Sequence, residues 1–334
     1  MLKIVIRLPN WIGDIILALP AVESIKKNFP EAEIWLAARN ETQDLFIFDE
    51  PAPNIIPLGP LGKFKNLRKI SEVLKGHSFD IGLLLTNSFA SALLFFMAGI
   101  PKRWGYHRDG RGLILSKGVF HKENHKNPHQ VYYYLDLLEE FGIRTVKPEL
   151  HLSVSQEAKD AARKELAALG IDLRKPLAIF NPGASYGPAK RWPPSRFADL
   201  AGLLQEKKNA EIVITGSPGE EELAEAVSSA MAKKPASLAG KTSLRQLLGL
   251  ISQASLFITN DSGPMHIANA LKIPVVAVFG PTDPSATAPF HPPSTVIKKE
   301  VVCWPCLYRK CPYDHRCMNI APEEVFEACA AYLA

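Results

Sequence analysis

The residues with the clearest chemical character lie at 177–193, where LAIFNPGASYGPAKRWP runs from an apolar stretch into a loop of small residues and two cations. Leu177–Phe180 is typical of a buried strand, and Gly183 and Gly187 allow backbone N–H groups to turn toward an anion. Lys190 then supplies a mobile positive charge. This order of residues predicts a loop that cradles a phosphate, although an ordinary turn with solvated charges would use the same residue types. It is not a Walker A loop, because G-x-x-x-x-G-K-[ST] is absent.

A second stretch, residues 256–266 (LFITNDSGPMH), indicates another anion site. An apolar strand ends just before Asp261 and Ser262, either of which can cap a following helix, and Pro264 suits the first turn of that helix. The free N–H groups and the dipole at such a helix start attract anions, whereas a well-capped helix with no ligand is the alternative. Two such sites at adjacent strand ends favour a diphosphate. A nucleotide-sugar would suit two domains with a cleft between them.

Two carboxylates follow predicted strands. Asp14 ends the segment RLPNWIGD at the start of the first predicted helix, where Gly13 keeps the backbone open. A carboxylate in that position could take a proton from an attacking hydroxyl group. Glu220, in the loop TGSPGE, could accept hydrogen bonds from ribose hydroxyls. Each could equally be an acidic residue that favours a helix start.

Several common motifs are missing from the chain. No G-x-G-x-x-G follows the first strand, which argues against a nicotinamide-dependent dehydrogenase. No Asp-x-Asp pair occurs, so a metal-bound diphosphate is not expected. Charge on a leaving diphosphate would then be met by Lys190 and by helix N-termini. No cofactor is expected to be required for catalysis.

Four cysteines cluster near the C-terminus. Cys303, Cys306, Cys311 and Cys317 follow the spacing C-x2-C-x4-C-x5-C, with His315 among them. This spacing could close a tetrahedral zinc site, and it is compatible with an iron–sulfur cluster as well. A loop of reduced or bridged thiols is the other interpretation. A structural zinc ion at these four cysteines is therefore one expectation from the sequence.

A basic segment runs from Lys102 to Lys122 and includes Arg103, Arg108 and Arg111. A solvated basic face would explain it. The same side chains could receive the carboxylates and phosphates of an acidic acceptor. The overall charge of +5 is too mild for a nucleic-acid-binding protein, but it is compatible with an anionic substrate or a membrane surface.

The 334 residues, 47% hydrophobic and 22% charged, are enough for two ordinary globular domains. Short β-rich runs alternate with amphipathic helices, which predicts two doubly wound parallel α/β domains that meet near residues 150–175. We place the boundary between residues 160 and 161 and a last helix at 322–333, a candidate to pack back on the N-terminal domain. The predicted strands are Lys3–Arg7, Glu33–Ala37, Ile81–Leu85, Leu177–Phe180, Glu211–Thr215, Leu256–Thr259 and Val275–Phe279.

The most apolar stretch is Ile81–Ile100, which is long enough to cross a membrane. Polar residues at 86–88 and at Ser91 break it into a short strand and a helix, so no transmembrane span is expected. The N-terminus lacks the features of a signal peptide. A cytoplasmic location is therefore the expectation.

At this level of detail the chain resembles one family, the ADP-heptose:lipopolysaccharide heptosyltransferases of glycosyltransferase family 9, and most closely its type II members. The resemblance covers nearly the whole chain. It is carried by the segments Asn181–Pro193 (NPGASYGPAKRWP), Thr259–His266 (TNDSGPMH), Pro9–Asp14 (PNWIGD), Asn87–Phe89 (NSF), Ala98–Pro101 (AGIP) and Phe279–Thr282 (FGPT).

The resemblance implies a GT-B fold, in which two Rossmann-like domains face a central cleft. It also implies a metal-independent, inverting transfer of heptose from ADP-heptose to heptosyl-Kdo2-lipid A in the synthesis of the lipopolysaccharide inner core. The N-terminal domain would bind the acceptor and the C-terminal domain the nucleotide-sugar. The enzyme would work as a peripheral protein at the inner face of the bacterial inner membrane.

Site residues follow from the resemblance by position. Asp14 would be the general base, Lys190 and Ser185 would hold the diphosphate, and Asp261 would contact the heptose hydroxyls. The remaining donor residues would be Ser262, Gly263, Pro264 and His266 at the phosphates, Glu220 at the ribose and Thr242 near the adenine. Acceptor contacts would come from Asn87, Arg103, Arg108 and Arg111. Some family members share the cysteine cluster and others lack it, so a catalytic role for it is not implied.

Two other functions fit a chain of this kind. A GT-B sugar-nucleotide epimerase, or a transferase with a different donor, would share the fold. A noncatalytic nucleotide-binding protein would bind ADP without turnover, although Asp14 beside a strand end argues against it.

Overall fold

In the computed structural model the chain forms two compact units, Met1–His151 and Leu152–Ala334. The structure describes residues 1–49, 51–62, 64–121 and 128–333, so Lys122 of the basic segment lies outside the described residues. The boundary predicted after residue 160 would cut helix α5 (Gln156–Ala168). Because α5 packs against α8 (Leu244–Ile251), the whole of this helix belongs to the second unit.

The first unit is a parallel sheet with strand order β3-β2-β1-β4-β5-β6. Its strands are β1 (Lys3–Arg7), β2 (Glu33–Arg39), β3 (Asn54–Leu58), β4 (Ile81–Leu84), β5 (Lys102–Tyr106) and β6 (Lys117–Val119). Its α-helices are α1 (Ile12–Asn28), α2 (Phe64–His77), α3 (Phe89–Met97) and α4 (Gln130–Glu140). Short 3-10 turns lie at Asn40–Phe46 and Arg111–Ile114.

The second unit repeats this arrangement, with strand order β9-β8-β7-β10-β11-β12. Its strands are β7 (Leu177–Asn181), β8 (Glu211–Ile214), β9 (Ala236–Ser237), β10 (Leu256–Asn260), β11 (Val275–Phe279) and β12 (Ser294–Lys298). Besides α5 and α8, its helices are α6 (Pro194–Lys208), α7 (Glu221–Ser229), α9 (Gly263–Ala270), α10 (Pro284–Thr287) and α11 (Pro322–Ala330). Short 3-10 turns lie at Pro188–Lys190 and Arg316–Met318.

The central strands of the second unit are buried along their whole length, as expected where helices cover both faces of a parallel sheet. Trp192, Phe180 and Phe197 lie in its core with no exposed surface. Helix α11 packs on α6 of the same unit. Contact of α11 with the first unit stays a prediction.

Both sheets have the strand order of a doubly wound fold, in which ligands bind where the order reverses. In the first unit that point lies between β1 and β4, where Arg7 pairs with Leu84. In the second unit it lies between β7 and β10, where Asn181 pairs with Thr259. The structure therefore confirms the predicted fold, and the two segments predicted to bind anions follow the adjacent strands β7 and β10.

Within the described ranges, the structure contains no helix whose length and apolar character would suit a membrane crossing. The apolar stretch Ile81–Ile100 is divided between β4 and α3.

Candidate active site

The loop after β7 is shaped by a close approach between a glycine and a carboxylate. A Cβ at Gly183 would lie 2.2 Å from a carboxylate oxygen of Glu220, so any larger residue would push that side chain away. The Glu220 carboxylate accepts hydrogen bonds from the backbone N–H and the hydroxyl of Ser217, both at 2.8 Å. Its other oxygen lies 3.9 Å from the Arg191 guanidinium. The structure thus brings Glu220, a predicted donor residue, against the predicted phosphate loop.

Lys190 ends the 3-10 turn of this loop and is buried. Its ammonium group forms a short ion pair with Asp261, which follows β10. Thr282, after β11, donates its hydroxyl hydrogen to the same carboxylate at 2.7 Å. The Lys190 nitrogen also lies 4.6 Å from the centre of the Tyr186 ring. Three strand ends therefore meet at one buried carboxylate and one buried cation.

The start of α9 lies beside this pair. Ser262 occupies the N-cap position, but its side chain makes no capping hydrogen bond. Its hydroxyl lies 3.0 Å from that of Thr259 instead. Gly263, Pro264 and the buried His266 fall in the first turns of α9. A helix start without a side-chain cap keeps N–H groups available for an anion.

Two further predicted donor residues lie at the rim of this unit's strand ends. Ser185 is exposed in the loop after β7. Thr242 lies just beyond Gly240, whose N–H donates to the carbonyl of Gly216 at 2.9 Å, in the loop that carries Glu220. The second unit thus gathers the predicted donor residues after the ends of β7, β8 and β10 and in the loop after β9.

In the first unit, Asp14 is half-buried in the first turn of α1. The loop before it is held by Arg7, which has 2% exposed surface. Its guanidinium donates to the carbonyls of Leu8 and Ala37 and to the side-chain oxygen of Asn10. Burial, with a smaller contribution from Arg39, lowers the pKa of Arg7 to about 10. These hydrogen bonds hold the loop that precedes α1, and the loop in turn positions Asp14 in the first turn of that helix.

Two neighbouring tyrosines of α4 lie close to Asp14 and to Asn87. Tyr134 is buried, and this burial together with the nearby charge of Asp14 holds the pKa of its phenol well above the usual value. The Tyr133 hydroxyl donates to the side-chain oxygen of Asn87 at 3.0 Å and lies 2.8 Å from the side-chain nitrogen of the same residue. Neither tyrosine was among the site residues predicted from the sequence, although the run of three tyrosines at 132–134 distinguishes this helix from the others.

Two of the three predicted acceptor arginines use their guanidinium groups inside the protein. Arg111 has no exposed surface and donates to the backbone carbonyls of Tyr106 and Thr86 and to the Asn87 side chain. Arg103 donates to the carbonyls of Ile114 and Ile100. Arg108 is exposed and lines a cavity of about 480 Å³. Of the three, Arg108 is therefore the candidate for direct contact with an acceptor, whereas Arg111 contacts the Asn87 side chain inside the protein.

Known proteins are similar to this chain in sequence and in fold. The chain matches glycosyltransferase family 9 (heptosyltransferase) over residues 67–316. Lipooligosaccharide heptosyltransferase 2 of Campylobacter jejuni is 31% identical over 334 residues, which cover 98% of each chain. Lipopolysaccharide heptosyltransferase 2 of Escherichia coli K12 is 32% identical over 89% of this chain and 88% of its own. The chain belongs to glycosyltransferase family 9.

A solved structure of this family agrees with the fold described above. The E. coli ADP-heptose lipopolysaccharide heptosyltransferase II has a TM-score of 0.85 and 29% identity, with 99% of this chain and 98% of that chain covered. The GT-B architecture expected from the resemblance is thereby confirmed. The Lys190–Asp261–Thr282 contacts lie within the region that matches the family.

The cysteine cluster does not support the expected zinc ion. Cys303, Cys306, Cys311 and Cys317 are free thiols that line one cavity of about 690 Å³ together with His315. In the part of the chain that the structure describes, no three or more Cys, His, Asp or Glu side chains are placed to hold a metal. A structural zinc site needs four ligands converging at about 2.0–2.3 Å. The spacing of the cysteines along the chain did not ensure that convergence.

The cysteine-rich segment instead makes hydrogen bonds with the loops after β7 and β11. The backbone carbonyl of Arg309 accepts from the N–H of Ala189 at 3.1 Å, and the His315 ring nitrogen lies 2.7 Å from the carbonyl of Ala189. Tyr186 donates its hydroxyl hydrogen to the carbonyl of Leu307 at 2.6 Å. Leu307 in turn donates its N–H to the carbonyl of Pro281 at 3.0 Å. The segment therefore holds the loop that bears Lys190 beside the one that bears Thr282.

We expect Thr282→Val to raise the KM for the donor about tenfold, because a hydrogen bond to a charged group contributes about 1.5–3 kcal/mol. Valine keeps the shape of the side chain but leaves the buried Asp261 carboxylate without one of its hydrogen-bond donors. Thr282→Ser should restore the wild-type KM. The matched control is Thr295→Val, which removes the contact between the hydroxyl of Thr295, on β12, and that of Tyr332. An unchanged KM in Thr282→Val would mean that this contact does not position Asp261.

We expect Arg111→Met to lower the free energy of unfolding by about 2–4 kcal/mol, because three acceptors would lose a buried donor. Arg108→Met should change it by less than about 0.5 kcal/mol, since Arg108 is exposed. Urea titration of both variants measures the difference. Equal stability of the two variants would contradict the structural role of Arg111.

Proposed function

We propose that this protein is an inverting glycosyltransferase that moves L-glycero-D-manno-heptose from ADP-heptose to heptosyl-Kdo2-lipid A in lipopolysaccharide inner-core synthesis. The observation that carries the proposal is the meeting of Lys190, Asp261 and the uncapped start of α9 at the strand-order reversal of the second unit. A cation and a helix start suit a diphosphate, and a carboxylate suits sugar hydroxyls. Two relatives that are 31% and 32% identical and cover 98% and 89% of the chain carry the name heptosyltransferase 2.

The proposed reaction has one chemical step. An acceptor heptose hydroxyl attacks the anomeric carbon of the donor while the bond from that carbon to the diphosphate oxygen breaks and ADP leaves. Asp14 takes the hydroxyl proton as the transition state develops positive charge on the sugar. Lys190 and the N–H groups of α9 stabilise the negative charge on the departing diphosphate.

In the structure, Lys190 is paired with Asp261. Binding of the diphosphate would draw the ammonium group toward the phosphate oxygens, while Thr282 keeps the Asp261 carboxylate in place for the sugar hydroxyls. The hydrogen-bonded carboxylate of Glu220 would accept from the ribose, with Thr242 near the adenine. Ser185 would complete the diphosphate site.

For the acceptor, we propose that Asn87 and Arg108 make direct contact and that Arg111 orients Asn87. An acceptor anchored in a membrane also leads us to propose peripheral association with the inner face of the bacterial inner membrane. A zinc ion has no part in this proposal.

The deciding experiment measures release of ADP from ADP-heptose with and without purified heptosyl-Kdo2-lipid A. The proposal expects release that depends on acceptor and a gain of one heptose in the mass of the lipid. Release of free sugar without acceptor would favour an epimerase. ADP binding without any release would favour a noncatalytic nucleotide-binding protein. Neither alternative is favoured by the names of the relatives.

A further inference from the structure

Three large apolar side chains of the first unit project into solvent. Phe96 on α3 is 51% exposed, Leu113 in the 3-10 turn at Arg111–Ile114 is 97% exposed, and Phe120 after β6 is 74% exposed. Single exposed apolar residues are common, but a contiguous group of them marks an interaction surface.

Arg103 and His107 link these three apolar residues into one patch. The Arg103 guanidinium lies 5.3 Å from the centre of the Phe96 ring, and its Nε donates to the carbonyl of Ile114, the residue after Leu113. The Phe120 ring stacks on His107 at 4.6 Å. His107 and Leu113 line the same cavity of about 480 Å³. We call Phe96, Arg103, His107, Leu113 and Phe120 the Leu113 surface.

The exposed charge around the Leu113 surface is positive on balance, with three exposed cations and the exposed Asp109. Residues 102–121 contain five Lys and Arg residues and one acidic residue, Asp109. Of the basic residues, Lys102, Arg108 and Lys117 are exposed. Apolar side chains surrounded by cations fit the boundary of a bilayer that contains anionic lipids, where each nearby Lys or Arg strengthens binding about fivefold.

We propose that the Leu113 surface docks on an anionic bilayer, with Leu113 and Phe120 inserted at the acyl boundary and Lys102 and Lys117 among the headgroups. The purpose of this docking rests on the proposed function, in which the acceptor is anchored in a membrane. Arg108, the candidate for acceptor contact, lines the same cavity as Leu113, so an acceptor that stays in the bilayer would meet it there. A second copy of the chain is a poorer occupant, since two such surfaces face to face would bring their cations together.

The first test uses flotation with vesicles of phosphatidylcholine alone or mixed with phosphatidylglycerol, in the absence of donor and acceptor. The wild-type protein should bind the vesicles that contain phosphatidylglycerol more tightly than those of phosphatidylcholine alone. Leu113→Glu should weaken that binding about tenfold or more, because an apolar side chain is replaced by a charge of the wrong sign. Val302→Glu is the matched control, because Val302 is a fully exposed aliphatic residue of the second unit. Lys117→Glu should weaken binding as well, whereas Lys234→Glu, also at an exposed lysine, should not.

The second test compares transfer to acceptor embedded in anionic vesicles with transfer to a deacylated, water-soluble acceptor. Leu113→Glu should slow only the first reaction. Equal vesicle binding by Leu113→Glu and wild type would overturn the proposal, as would a wild-type dimer in sedimentation that Leu113→Glu dissociates. Vesicle binding is read without any turnover, so failure of the proposed function would leave the docking result separate.

Discussion

Asp14→Asn is expected to lower kcat for heptose transfer by about a hundred- to ten-thousand-fold, which is the usual contribution of a general base. Asparagine has nearly the same shape as aspartate but accepts no proton. ADP binding should stay at the wild-type level, because the residues that we assign to the nucleotide all lie in the second unit. Single-turnover transfer and calorimetric titration with ADP measure the two quantities.

The matched control for Asp14 lies on the same helix. Glu23 is an exposed residue of α1 that pairs with Lys27 at 3.7 Å, and Glu23→Gln should leave transfer unchanged. Unfolding of Asp14→Asn by urea should match that of wild type, which would separate lost chemistry from lost structure. Turnover near the wild-type rate in Asp14→Asn would remove this residue from the role of base.

The accuracy of the sequence-based prediction of the fold depended on where each strand lies in its sheet. The seven predicted strands are the central ones, whose buried faces require continuous apolar runs. The strands that were missed are β3, β5, β6, β9 and β12, which lie at the sheet edges or, for β5, next to one. The edge strand β3 (NIIPL) contains a proline, which an edge tolerates, and β5 (KRWGY) begins with two charged residues. A pattern of local hydrophobicity does not reveal such strands.

The candidate site was predictable where a motif follows a central strand, as for Lys190 and Asp261. It was not predictable where burial decides the role of a charge. Arg111 and Arg108 are alike in sequence terms, yet one is buried among carbonyl groups and the other is exposed. Spacing likewise placed four cysteines around one cavity without making them ligands of a metal. Side-chain direction, which these distinctions require, depends on long-range packing.

The Lys190–Asp261 pair leads to the second large expected effect. Lys190→Ala should weaken ADP binding by about ten- to a hundredfold, since a charge-assisted hydrogen bond to phosphate is lost. It should also destabilise the second unit, because Asp261 would keep a buried charge without its cation. Removing one partner of a buried ion pair costs about 3–5 kcal/mol, and the Thr282 hydroxyl would offset only part of this cost.

A double substitution separates the two effects of Lys190. Lys190→Ala combined with Asp261→Asn removes both charges, so the free energy of unfolding should return toward the wild-type value. ADP affinity should remain as low as in Lys190→Ala, because the phosphate still lacks its cation. Lys233→Ala is the control. The ammonium group of Lys233 lies 3.9 Å from the carboxylate of Glu211, and this pair is separate from the loops that bear Lys190 and Asp261. Recovery of ADP affinity in the double variant would mean that Lys190 only neutralises Asp261 and does not bind the diphosphate.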